Sequence, residues 1–331
     1  MNIILRSVFF LSAMAVIPAV PVMLCGKAST EEKSSGAAIK EYIFEEETAS
    51  DEPYKVLCTA DGTINEVSVR DYVIGAVAAE IPALFEVEAI KAQAAAAHTY
   101  AERQRILQKR SPDPALGGAD FSDDPSKYQG FFTDKQIRHY FGDNYDIHYE
   151  KIASAVDEVL PYIITYNDEP IISAFHSMSS GTTESAEYAW GTAVDYLVPV
   201  DSNSDVDAPG YTDTAVVSSD FIKARFEKVI PGLKLGEDPK KWFEIAEISP
   251  SGTVLSVMVG DKEVTGGDIR EALNLRSADF TIDYSDGEFT FTTHGYGHGV
   301  GMSQYGANSM ALEGATWQEI IKHYYPGAEI S

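Results

Sequence analysis

Hydrophobic and polar positions along this chain change rhythm several times, and the first clear rhythm is helical. Val73, Val77 and Glu80 stand at i, i+4 and i+7, so one carboxylate closes an otherwise apolar helix face. Ile81-Pro82 follows. Proline disfavours helix at the residue before it, so the spacing predicts a helix over Asp71–Glu80, with Ser68 as N-cap. A second helix is predicted over Glu86–Lys109, where Ile90, Ala94, Ala97 and Ala101 form a small-residue face for close packing. Ser111–Gly130 holds proline, glycine and aspartate clusters without a sustained period and reads as a long excursion.

Further helices are predicted at Tyr149–Val159, Phe221–Val229, Asp268–Leu273 and Thr316–Tyr324, the last stopped by Pro326. Strands are predicted at Tyr54–Thr59, Leu160–Tyr166 and Ile171–Phe175, the latter two around the turn Asn167–Pro170. Two more fall within Phe243–Val259 around Ser249–Gly252, and a hairpin pairs Phe280–Tyr284 with Glu288–Thr292. No internal repeat is visible. Helices and strands mix without a regular βαβα alternation, which predicts an α+β fold.

The segment before residue 54 has a different character. Ser7–Gly26 is an uncharged run of 20 residues behind Arg6, long enough for a bilayer core of ~30 Å. A retained N-terminal anchor (1–26) is the reading adopted; a cleaved signal lacks a clean A-x-A site, and a lipoprotein signal at Cys25 would follow the ill-fitting Leu24. Lys27–Pro53 is rich in Glu, Ser, Ala and Thr and reads as an acidic flexible linker (27–53). The folded domain is expected over 54–331.

Charge then narrows the partners. The 331 residues carry a formal net charge of −26, which argues against nucleic acid and against adhesion to anionic lipid. Only Cys25 and Cys58 are present, so the fold rests on its core; Cys58 reads as a small buried apolar residue.

Three stretches carry candidate chemistry. Glu80 is either a solvated helix-end residue or a carboxyl that loses solvation, and desolvation raises its pKa toward that of a general acid. His294–Asn308 reads HGYGHGVGMSQYGAN; glycines 295, 297, 299 and 301 around His298 fit either a close-approach groove for a polymer or a tight structural bend. His294 and His298 have the i, i+4 spacing of zinc ligands, but the glycines make a helix there improbable. Phe175–Gly191 packs His176, Ser177, Ser179, Ser180, Thr182, Thr183 and Glu184 into a polar turn suited to sugar recognition or to an ordinary loop. It has no G-x-S-x-G elbow.

RDYVIGAVAAEIPALFEVEAIKAQAAAAHTYA, AFHSMSSGTTESAEYAWG, YLVPVDS, GGDIREALNLRSADF, HGYGHGVGMSQYGANSMA and EIIKHYYPG together resemble the stage II sporulation protein D (SpoIID/LytB domain) family, in the family's order across about 54–331. The resemblance implies a two-lobed catalytic domain around a groove, acting as a peptidoglycan lytic transglycosylase in forespore engulfment. Such enzymes cleave the MurNAc–GlcNAc bond without water and leave 1,6-anhydro-MurNAc ends. The family's catalytic acid falls on Glu80 of AAEIP. Gln93, His176, Ser177, Glu184, His298, Gln304 and Tyr305 are the candidates for glycan contact and for orienting Glu80. No cofactor and no metal are implied. Peptide-stripped glycan strands are the implied substrate, stage II sporulation proteins P (an amidase) and M the implied partners, and the outer side of a cell membrane the implied location. A non-catalytic glycan binder that stimulates an amidase is the alternative.

Two departures stand out. His98 occupies the place of a common arginine, whose fixed fork of donors it cannot reproduce. Ser122, Lys127 and Tyr128 stand where some relatives carry metal ligands, so no zinc is expected in the excursion.

Overall fold

A computed structural model describes residues 52–331. The expected anchor and nearly all of the linker lie outside them. Among the described residues, no helix is long and apolar enough to cross a membrane.

The fold is α+β, with helices set around several small sheets. In chain order the first part contains β1 (Tyr54–Leu57), β2 (Ile64–Val67), α1 (Val69–Glu80), α2 (Val87–Arg110), β3 (Phe121–Ser122), α3 (Asp134–Phe141), α4 (Tyr145–Val159), β4 (Ile164–Tyr166), β5 (Glu169–Pro170), β6 (Phe175–His176) and α5 (Ala186–Trp190). The middle holds β7 (Thr212–Ser218), α6 (Ser219–Val229), β8 (Phe243–Ile248), β9 (Val254–Val259), β10 (Lys262–Val264), α7 (Gly266–Leu273), β11 (Phe280–Ser285) and β12 (Glu288–His294). The end adds β13 (Met302–Ser303), α8 (Gln304–Leu312), α9 (Trp317–Tyr324) and β14 (Glu329–Ile330).

The core divides in two. One cluster gathers residues from Tyr54 to Leu197 and takes up the chain again from Val300 to Ala328. The other lies wholly between, from Ile222 to Phe291, in the antiparallel sheets β10-β9-β8 and β11-β12-β7 with α6 and α7. The larger core is therefore closed by both ends of the described chain. β13 pairs in parallel with β6, Met302 opposite Phe175 and Ser303 opposite His176. β14 pairs with β4.

Local chemistry sets the elements that matter for the site. Ser68 caps α1 by accepting from the Asp71 N–H at 3.1 Å, and α1 ends at Glu80 because Ile81, ahead of Pro82, is extended at φ −124°. α2 is buried more completely than its predicted face. Ala92, Ala95 and Ala96 are as inaccessible as Ile90, Ala94 and Ala97, since α2 runs between α1, α4, α8 and α9. Alanines on all sides let these helices approach closely.

Several elements differ from expectation. α3 begins in a capping box formed by Thr133 and Gln136, a signal the apolar period did not reveal. α4 starts four residues before Tyr149, at Tyr145. Ile171–Phe175 is mostly irregular, and the preceding hairpin turns on Asn167 and Asp168, both at positive φ (52° and 62°). The excursion is not featureless: Pro114–Leu116 makes a 3-10 turn, and β3 pairs in parallel with β1. Cys58 is half-buried rather than buried, because it sits in the turn between β1 and β2.

Candidate functional site

Glu80, the last residue of α1, is 7% exposed. Its Oε1 accepts the backbone N–H of Gly130 at 2.8 Å. Its Oε2 has no solvent contact and no hydrogen-bond partner among the described residues. Burial pushes the carboxyl up to about 7, and the Gly130 N–H opposes that only in part. With Oε1 accepting, the proton of the neutral acid belongs on Oε2. The phenols of Tyr72 on α1 and Tyr100 on α2 also act on this region, and burial drives both well above the ordinary tyrosine range, so they stay neutral.

α8 reaches the same place from the far end of the sequence. Gln304 donates through Nε2 to the Glu80 carbonyl oxygen at 3.0 Å and to Gln93 Oε1 at 3.2 Å. Gln93 is wholly buried on α2, and its own Nε2 has no partner among the described residues. The start of α8 is held firmly. Ser303 caps it by accepting from Gly306, and the Ser303 hydroxyl donates to buried Asp205 at 2.8 Å. Asp205 also accepts from the Ser179 N–H and Oγ, both at 2.7 Å, and from Ser202 Oγ at 2.9 Å.

The remaining sequence candidates extend from Gln304. Tyr305 donates its backbone N–H to the Ser177 carbonyl at 3.0 Å, and its ring meets Phe85 edge-on with centroids 5.0 Å apart. His176, fully buried, donates from Nδ1 to the Val300 carbonyl at 3.1 Å; burial lowers it to about 4, leaving a neutral ring with a bare Nε2. Its ring lies 5.8 Å from that of half-buried His298, which lies 5.6 Å from Trp190. His298 accepts the Val300 N–H at Nδ1 at 3.0 Å, and burial holds it well below the usual histidine range. Glu184 is committed internally. Its oxygens accept from the Ser185 N–H at 2.8 Å and from Ser249 Oγ at 2.5 Å, and Ser249 lies in the turn between β8 and β9, beside the second core. Glu184 and His298 line a small cavity of about 30 Å³ together with Ser277, Asp279 and His294.

The glycine run resolves in favour of the bend. Gly295, Gly297, Gly299 and Gly301 all have positive φ, between 72° and 121°. The bare faces at Gly295 and Gly301 are taken by the protein itself: a Cβ would lie 2.8 Å from the Ser179 carbonyl oxygen and 2.1 Å from that of Ala174. His294 faces Asp279, Nδ1 to Oδ1 at 3.3 Å, and lines the same cavity as His298.

Sequence reasoning missed Gly130. Its contact with Glu80 joins positions 50 apart. The one signal available was a glycine at the end of a long excursion. His98 is buried beside Glu102, its Nε2 3.7 Å from Oε1, and Arg105 donates to the same carboxylate from a single guanidinium nitrogen, 2.7 Å from Oε1 and 2.5 Å from Oε2.

The SpoIID family model (stage II sporulation protein) matches residues 59–166, the span that carries Glu80, Gln93 and Gly130. Stage II sporulation protein D of Bacillus subtilis is 38% identical over 92% of this chain and 87% of its own length. The chain belongs to the stage II sporulation protein D family. The protein of the same name from Bacillus amyloliquefaciens is 37% identical over 98% of the chain and 95% of its own length. The amidase enhancer of B. subtilis is more distant, 25% identical over 78% of the chain and 40% of its own length. Membership in this family supports a role in sporulation, at the cell wall.

Proposed function

We propose that the chain is a peptidoglycan lytic transglycosylase that cleaves MurNAc–GlcNAc bonds of peptide-stripped glycan strands and leaves 1,6-anhydro-MurNAc ends. The supporting observation is Glu80: a buried carboxyl, protonated up to about pH 7, with one oxygen engaged and the other unpartnered. Burial and the Gly130 N–H are what set its titration, without a second carboxylate, so an arrangement in which a neighbouring Asp or Glu serves as nucleophile or base is not favoured.

One carboxyl group suffices for the chemistry. Glu80 gives its Oε2 proton to the glycosidic oxygen as the C–O bond breaks and an oxocarbenium-like centre forms at MurNAc C1. The carboxylate then takes the proton of the MurNAc 6-hydroxyl as that oxygen bonds to C1. Glu80 ends as it began, ionised only in between, and a pKa near the working pH suits both transfers. Gln93, buried with an unpartnered Nε2, is the proposed amide contact to the sugar once substrate displaces its cover, with Ser177, His298 and Tyr305 as further contacts. Glu184 holds the frame, its oxygens engaged by protein donors, while His176 keeps an unpartnered Nε2 as a further candidate. The two cores are read as lobes flanking a glycan groove, on a domain carried behind the 1–26 anchor, outside the membrane.

The test uses peptide-free glycan strands with the wild type and Glu80→Gln. Anhydro-MurNAc ends by mass spectrometry from the wild type alone, with both proteins binding glycan, are expected. Reducing ends would make the enzyme a hydrolase. Binding by both without any cleavage would favour the second reading, a glycan module that stimulates an amidase, which the likeness to the amidase enhancer supports.

A further inference from the structure

The end of the excursion, residues 129–132, lies across α1 as a strap, and two glycines permit the contact. At Gly75, inside α1, a Cβ would stand 2.3 Å from the Phe132 carbonyl oxygen and 2.5 Å from the Phe131 ring. With no side chain there, the Phe132 N–H reaches the Gly75 carbonyl at 3.1 Å, and Phe131 stacks on Tyr72 with centroids 5.0 Å apart. Just upstream, a Cβ at Gly130 would stand 2.6 Å from Glu80 Oε1. All three distances are shorter than real Cβ contacts allow, so any other residue at either place moves the strap or the carboxyl. Gly130 does not have a positive φ, so space rather than backbone conformation demands the glycine.

We propose that Gly130 is a positioning residue for Glu80. Its backbone N–H, delivered by a strap that Gly75 seats on α1, engages one carboxyl oxygen and directs the other to the reacting bond. The strap also excludes water from the carboxyl, and Gln129, 2% exposed, fills the space between Tyr72 and Tyr100. The groups acting on Glu80 from α1 and α2 are those two neutral phenols; α8 contributes the uncharged amide of Gln304 and the strap a backbone N–H. No full charge competes with the strap for control of the carboxyl.

This inference rests on Glu80 being the reacting group, but its test does not require turnover. The full chain in detergent, labelled with 13Cδ-glutamate and 15N, is titrated by NMR, with Glu80 assigned by difference from Glu80→Gln. In the wild type, the Gly130 amide shift should follow pH with the same midpoint as Glu80. An amide that does not respond between pH 5 and 9 overturns the proposal. In Gly130→Ala the strap lifts, water enters, and the Glu80 midpoint should fall by a unit or more toward the ordinary carboxyl range. Lys127→Ala, an exposed change on the same excursion, should leave it unmoved. An unchanged midpoint in Gly130→Ala also overturns the proposal, and the wild-type amide titration decides it if that variant does not fold. Coupled titration without anhydro products would retain the positioning role and sink the transglycosylase reading. Anhydro products without coupling would do the reverse.

Discussion

Two buried glutamates of the larger core, Glu80 and Glu102, show how far environment separates the same side chain. Glu102, 4% exposed on α2, accepts from Tyr54 Oη at 2.5 Å and from Arg105, with His98 beside it. Burial pushes its carboxyl up, but the contacts with His98 and Tyr54 and the charge of Arg105 outweigh that and hold it below the usual range. Glu80 has burial and one backbone N–H, and it rises. A carboxylate with a full set of partners is a permanent anion that ties β1 to α2. A carboxyl without them keeps its proton near neutral pH and is available for chemistry.

The sharpest way to break the comparison is to remove each acid in turn. Glu80→Gln should leave a folded, glycan-binding protein whose release of anhydro ends falls by ~10²–10⁴-fold or more, the range for loss of a general acid. A cut of less than tenfold would reduce Glu80 to a structural residue. Glu102→Gln should do the opposite. It takes the charge from the carboxylate that Arg105 and Tyr54 both meet inside the core, at a cost of roughly 3–5 kcal/mol in denaturant unfolding, while turnover per folded molecule is retained. Equal stability of Glu102→Gln and wild type would contradict the anchoring role.

Stability against pH separates the two by sign. Glu80 has a folded pKa of about 7 against an ordinary 4.5, so its neutral form is fully compatible with the fold below the unfolded pKa. Between pH 4.5 and 7 the unfolded chain ionises first and the fold loses stability, by ~3 kcal/mol if the whole shift is expressed. Glu80→Gln should abolish that decline. Glu102, with its depressed pKa, stabilises above the ordinary carboxyl range and loses that contribution as pH falls through its folded value. Chemical melts at pH 4, 5.5 and 8 would show both, and a wild type and Glu80→Gln that run parallel would refute the first. The smallest effect is expected for Gln304→Ala, which strips a buried carbonyl and a buried amide of their donor: ~1–3 kcal/mol of stability, with slower cleavage. Cleavage and stability both at wild-type level would show that α8 does not position Glu80.

Much of this site was legible along the chain, and what was not follows one rule. The end of α1 at Glu80 is written in local chemistry: a cap, an apolar spacing and a proline. Ser68 caps α1 as expected, and Thr316, read as the first residue of the last helix, is its N-cap. α8 was hidden because four nearby glycines read as loop, although Ser303 carries its cap. β7 was overlooked in spite of its alternating exposure, since Thr, Asp and Ser dilute its apolar signal. Gly130 was beyond reach because no periodicity specifies a contact between a loop amide and a helix end. Contacts set by local rules were readable, and those set by tertiary approach were not.

Glu80 and Gln304 touch across 224 positions of sequence. The larger core is therefore finished only when residues beyond 300 dock onto helices made far earlier, after the whole second lobe has been strung out between them. Contacts of such separation form late, because the loop they close is long. A chain emerging from synthesis carries Glu80 long before it carries the support for that carboxyl. On the proposed reading, activity would begin only with the last few dozen residues, and a product truncated before them is expected to be silent.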